Sequence, residues 1–194
     1  MDKRIRKRDP SHTRRSLKIA ARNLFHSAGY FAVDSNKIAK AAAVAPGSFY
    51  RHFTGKLEIF SEVYRDWHWE HLQEIERAFT LSGNPEEMSA QTAEMMVNFY
   101  SQSRMLRASA RVLEIIHPQI AAANIPRRAE LLEFLRAMRE KKKLPLLEPR
   151  ELVSFSILLE RMAEVCIEGE YSPPDQSQNA SKPELTSLIL KFIS

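Results

Sequence analysis

Glycine is scarce in this sequence, with 5 residues among 194, about 2.6% against an average near 7%. Sheets and hairpins need glycine at many of their turns, so a chain this poor in glycine favours helices. Hydrophobic residues make up 44% of the chain, which is enough for a buried core. The sequence therefore predicts an all-α fold.

Apolar residues repeat at helical spacing along most of the chain, and capping residues, glycine and proline mark where helices begin and end. Three short helices are predicted first, beginning near Ser11, Ser35 and Pro46, and a long helix over 56–79 follows. Later helices are predicted over 84–103, to Ile116, over 127–143, over 150–168 and after Ser181, with Pro118 and Pro126 as interruptions. Residues 171–182 are predicted to be an exposed loop.

Positive charge concentrates at the N-terminus. Residues 1–56 contain 13 Lys and Arg against 3 Asp and Glu, although the net charge of the whole chain is only +5. This imbalance predicts that the first quarter of the chain binds a polyanion. A flexible, solvated basic tail would account for residues 1–10, but the imbalance continues through the predicted helices.

Several classes of protein are excluded. Cys166 is the single cysteine, so the chain has no internal disulfide and no multi-cysteine zinc site, and His68 with His71 completes no ligand set. No apolar run reaches the roughly 18 residues of a membrane span, and the N-terminus lacks a signal-peptide core. No catalytic triad, carboxylate pair or phosphate loop is found. We expect a cytoplasmic protein that is not an enzyme and needs no metal or cofactor.

The second and third predicted helices are joined by a tight turn, which is typical of a helix-turn-helix. Phe49 and Phe53 are expected to anchor the third helix in the core. Pro46, Gly47 and Ser48 then lie at the end that enters the major groove, where small residues let the backbone approach base edges. The pattern predicts a DNA-binding domain.

The runs Ala20-Ala21-Arg22-Asn23-Leu24-Phe25, Gly29-Tyr30 and Ile38 to Lys56 resemble the N-terminal domain of the TetR family of bacterial repressors. The most specific element is Ser48-Phe49-Tyr50 with Phe53 and Lys56 at the family's spacing. The resemblance covers about residues 13–60. It implies a dimer that binds a palindromic operator in double-stranded DNA and releases it when a small-molecule effector enters the C-terminal domain.

The resemblance also implies which residues contact DNA: Asn36, Ala45, Pro46, Gly47, Ser48, Tyr50, His52 and Lys56, with Arg51 as a further candidate for a phosphate. The chain departs from the family at three places. Asp34 replaces a threonine or serine and can act as a cap. Ala43 replaces the glycine of the turn, which predicts a strained left-handed residue. Ala45 replaces the serine cap of the third helix.

A stripe on the long helix suggests an effector site at Trp67, His71 and Ile75, although packing in the core is the other interpretation. The last two helices are apolar on a second side, with Val153, Ile157 and Val165 on one and Leu190 and Ile193 on the other. A helix that is apolar on two sides must bury both, so we expect a homodimer.

These features divide the chain into a basic tail over 1–10, a helix-turn-helix domain over 11–55 and a helical effector-binding and dimerisation domain over 56–194. The predicted function is that of a ligand-responsive transcriptional repressor. The alternative is a helix-turn-helix protein without a small-molecule effector, controlled by a partner protein.

Overall fold

A computed structural model describes residues 10–80, 84–168 and 182–194. These residues contain no strand, so the predicted all-α fold is confirmed. Most of the predicted tail and of the loop predicted over 171–182 lies outside them. The described helices are α1 (Pro10–Ala28), α2 (Ser35–Ala41), α3 (Pro46–Phe49), α4 (Lys56–Thr80), α5 (Pro85–Gln102), α6 (Arg104–Ile116), α7 (Pro118–Lys141), α8 (Pro149–Glu168) and α9 (Lys182–Ile193).

The helices form two compact units. The first unit contains α1, α2, α3, α4 as far as Trp67, and α6. The second contains α4 from His68 onward, with α5, α7, α8 and α9. Helix α4 therefore supplies residues to both units. The domain boundary predicted at residue 55 stays a prediction.

Aromatic side chains form the core of the first unit. Phe25 of α1 and Phe60 of α4 are fully buried, with ring centroids 5.1 Å apart, and the Tyr30 ring lies 5.2 Å from Phe60. Gly29 ends α1 with a φ of +74°. The next amide, that of Tyr30, donates to the Ser109 hydroxyl of α6 at 2.9 Å. These contacts hold α1, α4 and α6 together.

The turn around α2 confirms two predictions. The Asp34 carboxylate caps the helix by accepting a backbone N–H of its first turn at 2.8 Å. Ala43 has a φ of +53°, the left-handed conformation expected where a glycine is missing. Its N–H donates to the carbonyl of Lys40 and the N–H of Val44 to that of Ala39, at 3.1 and 3.0 Å. This pair of bonds closes a helix at a left-handed residue.

In the second unit, α5 packs against α8 and α9. Asn84 caps α5, which begins where the sequence predicted. Phe155 of α8 stacks on Phe192 of α9 with ring centroids 3.8 Å apart. The guanidinium of Arg139 lies 5.0 Å from the Phe192 ring and donates to the carbonyl of Pro145 at 2.9 Å. The end of α7 is thereby tied to the core between α8 and α9.

The predicted interruption at Pro126 is wrong, because α7 continues through this residue and no new helix starts at Arg127. A proline inside a helix removes one amide donor and frees the carbonyl four residues earlier. That carbonyl belongs to Ala122, which is exposed, so water can satisfy it. The alanines before Pro126 favour the helix strongly enough to continue it.

The second apolar sides of α8 and α9 are only partly exposed. Val165 and Ile193 are buried within the unit, so their prediction as surface residues is wrong. Both lie on helices that pack against α5 as well as against each other, and this packing covers them. Val153 and Ile157 are exposed, as predicted, and so is Leu158.

Candidate nucleic-acid interface

We call residues 46–53 the reading segment. Its buried side is formed by Phe49 and Phe53, whose ring centroids lie 5.8 Å apart. Helix α3 is a single turn that begins at Pro46, and no side chain caps it at Ala45, as the missing serine predicted. The amide of Phe53 still donates to the carbonyl of Phe49 at 3.0 Å, so the segment keeps a helical path beyond α3.

The opposite side of the segment faces outward. Of the predicted DNA contacts, the exposed residues are Asn36, Ala45, Pro46, Gly47, Tyr50 and Arg51, the half-buried ones are His52 and Lys56, and Ser48 is buried. The structure therefore collects most of these residues on α2 and the reading segment, which pack against each other.

Gly47 has no structural reason to be glycine. Its φ lies outside the left-handed region, and a Cβ added there would meet no atom within 4 Å. Gly29 differs, because a Cβ there would lie 2.9 Å from the Ser109 hydroxyl. Since the fold leaves open space in front of Gly47, a small residue at this position matters only to a molecule that approaches from outside.

Ser48 and Arg51 act as a pair. The Ser48 side chain is only 9% exposed, and its hydroxyl accepts a hydrogen bond from Nη2 of Arg51 at 2.8 Å. This bond holds the exposed guanidinium beside the start of α3. The predicted base contact of Ser48 and phosphate contact of Arg51 stay predictions.

Tyr50 joins the reading segment to α2. Its side chain is 61% exposed, and its hydroxyl lies 2.8 Å from the Ser35 hydroxyl at the start of α2. Sequence reasoning placed Ser35 at the start of a helix and missed this contact. The signal for this contact was the Asp34-Ser35 pair. Only one of the two side chains can cap the helix, so the other is available for a different partner.

Lys56 is held within the protein. Its ammonium donates to the carbonyls of Tyr30 and Val33 at 2.9 and 2.8 Å and lies 3.9 Å from the Tyr30 ring centroid. Burial lowers the pKa of Lys56, although Asp34 acts in the opposite direction. The lysine ties the connection between α1 and α2 to the start of α4. Its predicted phosphate contact stays a prediction.

Sequence reasoning also missed a clamp between α1 and α4. Arg14 pairs with Glu62, and Lys18 lies 3.6 Å from Glu62 and 2.7 Å from Asp66. The Arg14 guanidinium also lies 4.6 Å above the Phe53 ring, at the end of the reading segment. The signal was a pair of basic residues four apart on α1 and a pair of acidic residues four apart on α4.

Burial raises the pKa of Glu62, but the hydrogen bond from Arg14 and the charges of Arg14, Lys18 and Arg65 outweigh it. The net result is a pKa below the usual range for a glutamate. The carboxylate therefore favours the folded state in its ionised form.

The three candidate effector residues are buried and belong to different units. Trp67, in the first unit, is 3% exposed and stacks on Tyr64 with ring centroids 5.6 Å apart. His71 and Ile75 lie in the second unit, where His71 stacks on Phe99 at 5.2 Å.

The second unit carries a groove of about 650 Å³ between α4 and α5. None of the three predicted residues lines it. Its walls are Glu74, Ala90, Gln91, Glu94, Met95, Asn98, Phe99 and Gln102. Phe99 thus lines the groove and also covers His71.

Within the described ranges, no three histidine, cysteine, aspartate or glutamate side chains converge to hold a metal ion. None of the helices given above is both long enough and apolar enough to span a bilayer.

Residues 19–63 match the model for bacterial regulatory proteins of the tetR family. This segment contains the turn, the reading segment and Glu62, the first acidic residue of the clamp. In this segment the chain is similar to the TetR family of bacterial regulatory proteins. Regulators of the TetR family bind DNA and are not enzymes. Comparison with curated proteins gives no significant match.

Several solved structures are similar to this chain over almost their whole length. A protein from Mesorhizobium loti described as a TetR-family regulator has a TM-score of 0.72 and 18% identity, covering 96% of this chain and 98% of its own. A protein from Rhodococcus sp. has a TM-score of 0.72 and 14% identity, covering 95% of this chain and 100% of its own. The fatty acid degradation regulator FadR from Bacillus halodurans has a TM-score of 0.63 and 20% identity, covering 95% and 97%. At these identities the likeness shows the fold.

Proposed function

We propose that this chain is a repressor in the cytoplasm that binds a palindromic operator as a homodimer through the reading segment and is released by a small-molecule effector. The open space in front of Gly47 carries this proposal. Pro46 and Gly47 present backbone and a small ring at the tip, while the buried Phe49 and Phe53 hold that tip in place. Such a tip can approach base edges in the major groove closely.

The other predicted contacts fit the same role. Tyr50 and Arg51 are exposed and follow the tip in the chain, and exposed polar side chains beside a groove-bound helix can contact phosphates. Asn36 is exposed on the first turn of α2, which packs against α3. The proposed site also includes Ala45, Ser48, His52 and Lys56.

Exposed side chains on α8 support the proposed homodimer. Val153, Ile157 and Leu158 lie within two turns of this helix, and Ile157 is 60% exposed. Clustered exposed apolar residues mark interaction surfaces. A two-fold dimer would place two reading segments on half-sites about one DNA turn apart, roughly 34–36 Å.

We propose that the effector binds to the second unit, in the groove where Phe99 covers His71. Its volume of about 650 Å³ is of the size that small-molecule sites have. Because α4 supplies residues to both units, a ligand that displaces α4 at Ile75, His71 or Trp67 would also act on the first unit. A coupling of about 1–3 kcal/mol would change operator affinity some 5–150-fold.

The burial of Trp67, His71 and Ile75 favours a second candidate, in which these residues are core and a partner protein controls DNA binding. Thermal-shift screening followed by titration into the operator complex separates the two candidates. A ligand that stabilises the protein and also releases the operator supports the effector. A stabilising ligand that leaves operator affinity unchanged supports the second candidate.

Substitution of Gly47 tests the DNA contact. Selection from random duplexes first identifies the preferred sequence, which we expect to be a palindrome. Gly47→Ala should then weaken operator binding at least tenfold, because the added methyl group stands between the backbone and the bases. The same substitution should raise the free energy of unfolding by about 0.5–1 kcal/mol, since alanine favours a helix over glycine.

The two readouts together exclude a folding defect, because the variant loses DNA binding while it gains stability. Binding to a random duplex should change little, since phosphate contacts dominate there. Unchanged operator affinity in Gly47→Ala, or selection that returns no palindrome, would refute the proposed function.

A further inference from the structure

Arg51 is the only lysine or arginine of the reading segment. It is exposed, and within the described parts of the chain its guanidinium has one hydrogen-bond partner, the Ser48 hydroxyl, and no ion pair. Arg14 differs, because it pairs with Glu62 and its guanidinium covers the Phe53 ring. Most N–H donors of Arg51 are therefore available to a molecule that approaches from outside.

The bond to Ser48 determines where this guanidinium lies. The two residues are three apart, so they share one side of the segment. Long side chains on a helix point toward its N-terminus, and the 2.8 Å bond from Nη2 of Arg51 to the Ser48 hydroxyl holds the guanidinium in that direction. It lies beside the first turn of α3, which contains Gly47 and the open space in front of it. The N-terminal residues of a recognition helix are the ones that contact base edges.

The chemistry of the guanidinium selects one base. Arginine has N–H donors and no acceptor, so it pairs best with a base edge that offers acceptors only. Guanine presents two acceptors in the major groove, O6 and N7, whereas adenine combines an acceptor with a donor and cytosine presents a donor. Nη2 carries two hydrogens, so the bond to Ser48 leaves a pair of parallel N–H donors for a guanine.

We propose, on the basis of the DNA-binding function above, that Arg51 contacts a guanine in each half-site and that Ser48 positions Arg51 without contacting a base. The sequence predicted the opposite roles, a base contact for Ser48 and a phosphate contact for Arg51. Ser48 is only 9% exposed, and its hydroxyl already accepts the Arg51 bond. Because this bond restrains a long side chain before DNA arrives, less side-chain entropy is lost on binding.

The test begins with selection from random duplexes, using the wild type and Arg51→Ala. The wild type should select a palindrome with a guanine in each half-site at a position where Arg51→Ala selects no base. The matched control is Lys40→Ala, which loses one positive charge from an exposed residue in the last turn of α2. It should select the wild-type palindrome, including that guanine.

Fluorescence anisotropy then compares the selected operator with a duplex in which adenine replaces one of these guanines. The wild type and Lys40→Ala should prefer the operator by about 5–150-fold, the range of one bidentate base contact. Arg51→Ala should bind the two duplexes equally. Preferences at the other operator positions should remain in every variant, which shows that the variants are folded.

Ser48→Ala tests the positioning role, because it keeps the charge of Arg51 and removes the hydroxyl. It should lose part of the guanine preference and keep the wild-type salt dependence. The double variant Ser48→Ala/Arg51→Ala should bind both duplexes as Arg51→Ala does, since Ser48 acts through Arg51. Loss of preference at a second position in the double variant would show that Ser48 contacts a base itself and would overturn its positioning role.

The failure of this inference is distinct from that of the proposed function. If Arg51→Ala keeps every base preference and reduces the slope of log affinity against log salt by about 0.9, Arg51 binds a phosphate. The inference then fails and the proposed function stands. A base other than guanine at the position that depends on Arg51 has the same consequence. If the wild type selects no palindrome, the proposed function fails and the inference fails with it.

Discussion

Ala43 offers a test of whether the turn between α2 and α3 is strained. The residue has a φ of +53° and occupies the position after the end of α2 where glycine is usual. Its side chain is exposed, so Ala43→Gly removes no buried methyl group. The substitution therefore isolates the cost of the left-handed backbone.

The expected effect is the difference between two terms. A left-handed L-residue costs about 1–2 kcal/mol in the folded protein. Glycine costs about 0.4–1 kcal/mol more than alanine through the entropy of the unfolded chain. Ala43→Gly should therefore stabilise the first unit by about 0.5–1 kcal/mol. For a chain of this length, such a gain raises the melting temperature by about 1–4 °C.

Urea unfolding followed by circular dichroism measures this gain. Hydrogen exchange of peptides over 35–53 assigns it to the turn, because local stability differs between regions of a protein. The control is Ala41→Gly at the last residue of α2, where φ is not positive, so glycine should lose stability there by up to about 0.5–1 kcal/mol. Lys143 has the same left-handed geometry after α7, with a φ of +57°, and Lys143→Gly should gain similarly. A loss of stability in Ala43→Gly like that of Ala41→Gly would refute the strain.

Two further predictions concern the first unit. Gly29→Ala should destabilise it by at least about 1–2 kcal/mol, because φ is +74° and the new methyl group would displace the Ser109 hydroxyl; an unchanged urea midpoint would contradict this. Because the pKa of Glu62 is lowered, its carboxylate stabilises the folded state at neutral pH. This stabilisation is lost as pH falls from about 4.5 through the lower pKa that Glu62 has in the folded state. Glu62→Gln should therefore be less stable than the wild type at pH 7, and the difference should narrow below about pH 4.5; a constant difference from pH 7 to pH 3 would count against the clamp.

The sequence alone determined most of the helices and their ends, because caps, glycine and apolar spacing act over a few residues. Asp34 and Asn84 cap helices, and Gly29 ends one. The left-handed backbone at Ala43 was expected because this chain has alanine where the TetR family has glycine. Pro126 was misjudged because the sequence does not show that the Ala122 carbonyl, which loses its helical donor, is exposed to water.

Only the tertiary structure decided what the polar side chains contact. Tyr50 meets Ser35 fifteen residues away, and the Arg14 and Glu62 of the clamp are 48 apart, distances at which spacing along a helix carries no information. The same holds for burial: Ser48 and Lys56 match a surface motif, yet the fold turns the serine hydroxyl toward Arg51 and the lysine toward two carbonyls. Local patterns specify backbone conformation, whereas contacts between distant residues depend on how the helices pack.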